Sequence, residues 1–124
     1  MDYMHGLGIK VCAFSPVGSP DQAVINPKWA NVPLLLTNPL LNELATKYEK
    51  SAAQICLNWN LHMGGVVLSF AVDEQYMREN IEAPNFEMSE EDYAEIDKLN
   101  MNLRVYDQSD ATSIRFHEFG DQRE

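Results

Sequence analysis

The chain has little of what a disulfide scaffold, a membrane span or a nucleic-acid surface is built from. Only two cysteines, Cys12 and Cys56, occur in 124 residues, and they lack CxxC spacing. Disulfide-stabilised domains carry more, so both are expected as buried thiols in apolar surroundings. Basic residues are scarce: nine Lys and Arg face nineteen Asp and Glu, for a formal net charge of -10. Such a chain repels a phosphate backbone. The longest apolar stretches, such as Val32 to Leu36 and Val66 to Leu68, fall far short of the roughly 18 residues of a membrane helix. Residues 1 to 20 are interrupted by Asp2, His5, Gly6, Gly8 and Lys10, so they lack the basic start and continuous apolar run of a secretory signal. These absences predict a cytoplasmic protein with neither nucleic acid nor membrane as a partner.

Catalytic and metal-binding side chains are thin as well. His5, His62 and His117 stand far apart, without metal-ligand spacing and without a serine or cysteine beside them. Structural or surface roles are therefore expected, and no metal site. The acidic run Glu90-Glu91-Asp92 suits a first helical turn, where carboxylates complement the helix dipole, better than a cation site.

What is present is a soluble globular composition, 45% hydrophobic and 10% aromatic. The length allows one domain over residues 1–124. Ile9 to Phe14 is β-branched and aromatic enough for a buried strand, ended by the breakers of Ser15-Pro16-Val17-Gly18-Ser19-Pro20. Residues 21 to 37 keep no period and read as a long loop. Asn38-Pro39 supplies an N-cap and a first-turn proline for a helix with the stripe Leu40, Leu41, Leu44, Ala45 and Tyr48. Ser51 and Gln54 form a capping box for a second helix, with Ala52, Ile55, Cys56, Trp59 and Met63 inward and Gly64-Gly65 as its stop. Val66 to Phe70 reads as a fully buried strand of a parallel sheet, completing a βαβ unit. Asp73 caps a short helix through Ile81, and Ser89 opens a last one that turns Tyr93, Ile96 and Leu99 inward. An irregular tail follows Asn100.

The strand running into Ser15-Pro16-Val17-Gly18-Ser19 is the strongest chemical feature, since hydroxyls and backbone N–H groups at a strand's C-terminal end suit phosphate oxygens. An ordinary proline-containing turn has the same composition. The wider pattern narrows the choice. Gly8-Ile9-Lys10-Val11-Cys12-Ala13-Phe14-Ser15-Pro16-Val17-Gly18-Ser19 resembles the GI-x-V-x-AYSPLGS strand and loop of the aldo-keto reductases. Similarity continues through Lys50-Ser51-Ala52-Ala53-Gln54, Val66-Val67-Leu68, Arg78-Glu79-Asn80-Ile81 and Ser89-Glu90-Glu91-Asp92, and as far as Phe116-His117-Glu118-Phe119.

The resemblance implies a partial (β/α)8 barrel, its last two strands with their helices and tail, beginning near the sixth helix. It implies nicotinamide-dependent reduction of aldehydes and ketones as the family chemistry. The family's catalytic tyrosine, lysine, aspartate and histidine precede the matched segment, so no catalytic residue is expected here. By the same resemblance, Phe14 takes the place of the nicotinamide-stacking tyrosine. Ser15, Val17 and Ser19 match positions along the pyrophosphate, and Glu79 and Asn80 match those at the adenine. The family's IPKS segment reads Leu68-Ser69-Phe70-Ala71 instead, so Phe70 and Ala71 stand where lysine and serine meet the 2′-phosphate of NADP. Tyr76 replaces an arginine and Asp73 a threonine, which predicts weak binding of NADP and a smaller loss for NAD. Tyr106 stands at the family's reactive tail cysteine, which excludes thiol regulation there. Two strands cannot close a barrel, so their edges are expected to invite self-association or another chain.

Overall fold

The computed structural model describes residues 2–21 and 31–102. Five helices and two strands follow one another: α1 (Asp2–Gly6), β1 (Cys12–Phe14), α2 (Pro39–Tyr48), α3 (Ala52–His62), β2 (Val66–Leu68), α4 (Glu74–Glu82) and α5 (Glu90–Asp97). Short 3-10 turns at Leu35–Thr37 and Ala83–Asn85 complete the described chain.

Each predicted cap forms. Asn38 Oδ1 accepts the Leu40 N–H at 3.0 Å, with Pro39 occupying the first turn, where its missing N–H costs nothing. Ser51 and Gln54 exchange the two bonds of a capping box, 3.3 and 3.0 Å. Asp73 accepts the Gln75 N–H at 2.8 Å, and Ser89 accepts that of Asp92 at 3.3 Å. Helix α1 and the turn at Leu35–Thr37 were not legible in the sequence, both being too short to show a hydrophobic period.

β1 and β2 pair in parallel, with Cys12 opposite Val66, Ala13 opposite Val67 and Phe14 opposite Leu68. The crossover runs through α2 and α3, so the predicted βαβ order holds. Both strands are shorter than expected, three residues each, and neither is buried. Alternation puts Ala13 and Val67 on the half-buried face, while Cys12, Phe14, Val66 and Leu68 are exposed. Three expectations are corrected by this one fact: β1 is not a buried strand, β2 is not a fully buried one, and Cys12 is an exposed thiol. No other layer among the described residues covers that face.

The core lies instead among the helices. Leu41, Leu44 and Ala45 of α2 pack with Ile55 and Cys56 of α3 and with Met88, Tyr93 and Ile96 at and before α5. Tyr48 clips α2 to α5: its hydroxyl donates to Asp92, which also accepts from Lys47 Nζ at 2.7 Å, and the Ser89 N–H donates to the Tyr48 oxygen at 2.9 Å.

Helix α3 is buried more widely than its predicted stripe, since Gln54, Leu57 and Asn58 are covered as well. The two amides are tolerated because they are bonded. Asn58 Nδ2 donates to the carbonyls of Ala83 and Phe86 at 2.9 and 2.7 Å, while its Oδ1 accepts from Tyr93 Oη at 2.7 Å.

Candidate functional site

Register fixes where a ligand-facing edge can be. With Phe14 opposite Leu68, the loops that follow β1 and β2 leave the sheet at the same, C-terminal end, and α4 starts directly after the second loop. In parallel α/β structures this end collects binding residues because neighbouring loops converge there.

The loop after β1 is tightly held. Ser15 adopts φ 58° and Ser19 φ 48°, both left-handed, and the Gly18 N–H closes a turn onto the Ser15 carbonyl at 2.9 Å. Gly18 also has positive φ, and a Cβ there would meet Leu35 Cδ1 at 2.9 Å, so glycine serves both conformation and close approach. Asn60 of α3 donates to the Pro16 carbonyl at 3.4 Å. Strained non-glycine residues held by surrounding contacts are a feature of binding loops.

The six predicted cofactor residues fall into two groups on this end. Phe14 is 72% exposed at the tip of β1, Ser15 is half-buried, Val17 packs against the core and Ser19 is buried. Glu79 and Asn80 lie half-buried on α4. Gln54 Nε2 donates to the Glu79 carbonyl at 3.1 Å, and Gln75 Nε2 donates to Glu79 Oε1 at 2.9 Å. Helix α3 thus supports both groups, through Asn60 for the loop and Gln54 for α4. Neither anchor was legible in the sequence, because each partner lies at least 25 positions away. The Gln75–Glu79 pair had a readable signal, an i,i+4 spacing.

The residues expected to have replaced phosphate contacts are at the surface. Phe70 is 89% exposed and Tyr76 59%, with Ala71 half-buried between them. Asp73 caps α4, and Arg78 gives Nη2 and Nε to Glu74 Oε1 at 2.6 and 3.2 Å.

Among the described residues, one cavity of about 530 Å³ lies against Pro16, Cys56 and Trp59 and another of about 270 Å³ against Asn58, His62 and Tyr93. None of the six predicted residues lines either. His62 stacks on Tyr93 with ring centroids 3.6 Å apart, a structural contact as expected. Among the described residues no group of three or more His, Cys, Asp or Glu is placed to hold a metal. No helix there is long and apolar enough to cross a membrane. His117, Tyr106 and the tail similarity at Phe116 to Phe119 lie outside the described residues.

A parallel βαβ unit with its loops gathered at one end belongs to the α/β proteins, and comparison with known proteins makes the class specific. Residues 1–101 match the model of the aldo/keto reductase family. Aldo-keto reductase family 1 member D1 of Oryctolagus cuniculus is 39% identical over 98 residues, 77% of this chain and 29% of that protein. Member C3 of Pongo abelii is 33% identical over 123 residues, 98% of this chain and 37% of the relative. Member A1 of Sus scrofa is 38% identical over 97 residues, 78% and 29% respectively. The chain belongs to the aldo/keto reductase family, whose fold is the (β/α)8 barrel. It spans about a third of the length of these relatives, and its described residues supply two of the parallel strands.

Proposed function

We propose that the chain forms part of the nicotinamide-dinucleotide surface of a carbonyl-reducing enzyme, as the C-terminal portion of a reductase barrel, and holds cofactor without performing the proton transfer. The observation that carries this reading is the β1–β2 register, which brings the loops after both strands, and the start of α4, to one end of the sheet. The donor set fits the cofactor at three of its four parts. The Phe14 ring offers a flat π face to the nicotinamide. The loop from Ser15 to Ser19 offers N–H groups and hydroxyls to the pyrophosphate. Since the Val17 and Ser19 side chains are largely covered, we assign their contribution to the backbone. Glu79 and Asn80 offer an acceptor and a donor to the adenine edge, and Gln75 and Gln54 hold Glu79 in place.

At the fourth, the 2′-phosphate, the fit is poor, because Phe70, Ala71 and Tyr76 carry no positive charge. The reading therefore includes weak binding of NADP. A bound nicotinamide supplies the hydride; the chain's own residues bind and orient it. By the resemblance, the acid that completes reduction stands before the segment matched here. The setting we propose is cytoplasmic.

Titrating the 124-residue chain with NADH, followed by calorimetry and by tryptophan fluorescence, tests the reading. Saturable binding that weakens at least several-fold in Phe14→Ala supports it, and a flat response sinks it.

A second reading is favoured by the exposure of Cys12, Val66 and Leu68 on one sheet face. It makes the chain an interaction module that pairs through its strand edges with itself or another chain. Sedimentation equilibrium decides: a concentration-independent monomer excludes self-association.

A further inference from the structure

The cavity between α2, α3 and the end of α5 has the size and the lining of a ligand site. At about 530 Å³ it falls within the roughly 300–1,000 Å³ of small-molecule pockets. Its covered wall is apolar, formed by buried Leu41, Cys56 and Ile96, and half-buried Trp59 adds an indole ring. A single carboxylate lines it, that of Asp97, and no Lys, Arg or His does. Asp97 is exposed, which puts the charged group at the opening. Trp59 Nε1–H donates to Asp97 Oδ1 at 2.9 Å, so ring and carboxylate are held side by side. Lys98, next along the chain, is paired with Glu95. No cation pairs with Asp97 among the described residues.

We propose that this cavity binds a compact apolar molecule carrying one protonated amine, its hydrocarbon part against Leu41, Cys56 and Ile96 and its ammonium at the Trp59–Asp97 pair. The inference goes beyond the cofactor reading and needs no nucleotide, since none of the six predicted cofactor residues lines the cavity. Removing the hydrocarbon part from water drives entry. The two groups at the opening select the charge: the carboxylate attracts an ammonium, and the indole face attracts it through the ring quadrupole. A neutral alcohol of the same shape gains the burial and at most a hydrogen bond, and a carboxylate of that shape meets a like charge. The cavity also backs onto the loop after β1. Pro16 lines it, and so does Leu35, whose Cδ1 lies 2.9 Å from where a Cβ on Gly18 would stand. A ligand in the cavity therefore touches the residues on which that loop rests.

Phenylpropylamine, phenylpropanol and phenylpropionate share one skeleton and differ in charge. Titrating each into the 124-residue chain, with amide and indole N–H resonances followed by NMR, tests the proposal. The amine is expected to shift the Trp59 indole N–H and the Gly18 amide saturably. It is expected to bind about fivefold more tightly than the alcohol at low salt, the margin shrinking as salt rises, with the propionate weakest. Asp97→Asn keeps an acceptor for the Trp59 N–H at an exposed position, so the fold stands. It is expected to bring the amine down to the level of the alcohol while leaving the alcohol within about twofold. No saturable shift with any of the three probes overturns the proposal. So does equal affinity for amine and propionate, or an amine preference that survives Asp97→Asn. Shifts that leave both Trp59 and Gly18 unmoved put the amine elsewhere and overturn it too.

Discussion

The helical layer and the sheet with its adjoining helix are solved to different degrees within one chain. In the helical layer, Ile55 and Leu57 are fully buried, Leu41 nearly so, and the buried amide of Asn58 finds partners for both ends. On the sheet side, Phe14, Val66, Leu68 and Phe70 stand exposed, and Tyr76, Met77 and Ile81 of α4 do too. One two-stranded sheet offers few ladder bonds and one covered face, and such sheets are marginal unless packed on both sides. Folding information is therefore concentrated in α2, α3 and α5, while the residues proposed to bind cofactor sit where cover is thinnest. That division is what a barrel family predicts, because strand residues facing the interior are covered only by other strands.

The widest separation between the two regions should appear in thiol chemistry. Cys12 is exposed on the first strand, whereas burial pushes the Cys56 thiol up to about 11. A thiolate-selective reagent at neutral pH is expected to modify Cys12 rapidly and Cys56 only through unfolding, slower by orders of magnitude. Comparable rates for Cys12→Ser and Cys56→Ser variants would erase the distinction.

Stability should separate them next. Ile55→Ala empties a fully buried site and is expected to cost about 2–5 kcal/mol in urea denaturation. Leu68→Ala, at a position 60% exposed, is expected to stay within about 0.5 kcal/mol. A large cost at Leu68 would mean that the sheet face is covered in solution, which favours the self-associating reading.

The smallest effect concerns the α2–α5 clip. Hydrogen bonds from Lys47 and then from Tyr48 hold the Asp92 carboxyl below its ordinary value. A depressed folded value means that the stabilisation is complete above the unfolded value, about pH 4, and is lost as pH falls through the folded one. Asp92→Asn is therefore expected to be less stable at neutral pH and to lose less on acidification below about pH 4, as read from midpoints against pH. Parallel curves would show that the clip contributes nothing to acid sensitivity.

Legibility in the sequence followed the range of the interaction. Asn38-Pro39, Ser51 with Gln54, Asp73 and Ser89 each announced a helix start, because a cap is decided within three residues. The inward set of α5 was readable for the same reason, with Tyr93 and Ile96 buried and Leu99 half-buried. The extent of burial along α3 was not, because Gln54 and Asn58 are covered by elements 25 or more positions away. Of the candidate site, Phe14 and the Ser15 to Ser19 loop were visible as a motif. The anchors that hold the loop and Glu79, Asn60 and Gln54, came only with the fold.

By itself the sequence determined the helix starts, the βαβ order, the acidic surface and membership of the aldo/keto reductase family, all of which depend on local spacing or on direct likeness of residues. Only the tertiary structure decided which apolar residues are covered. Val66 and Leu68 have the composition of a core strand, yet burial depends on what lies opposite a side chain, and in the described chain nothing lies opposite that face. It also decided that Arg78 is paired with Glu74 and that Asp73 spends a carboxylate oxygen on the Gln75 N–H, contacts that depend on how the α4 side chains are placed.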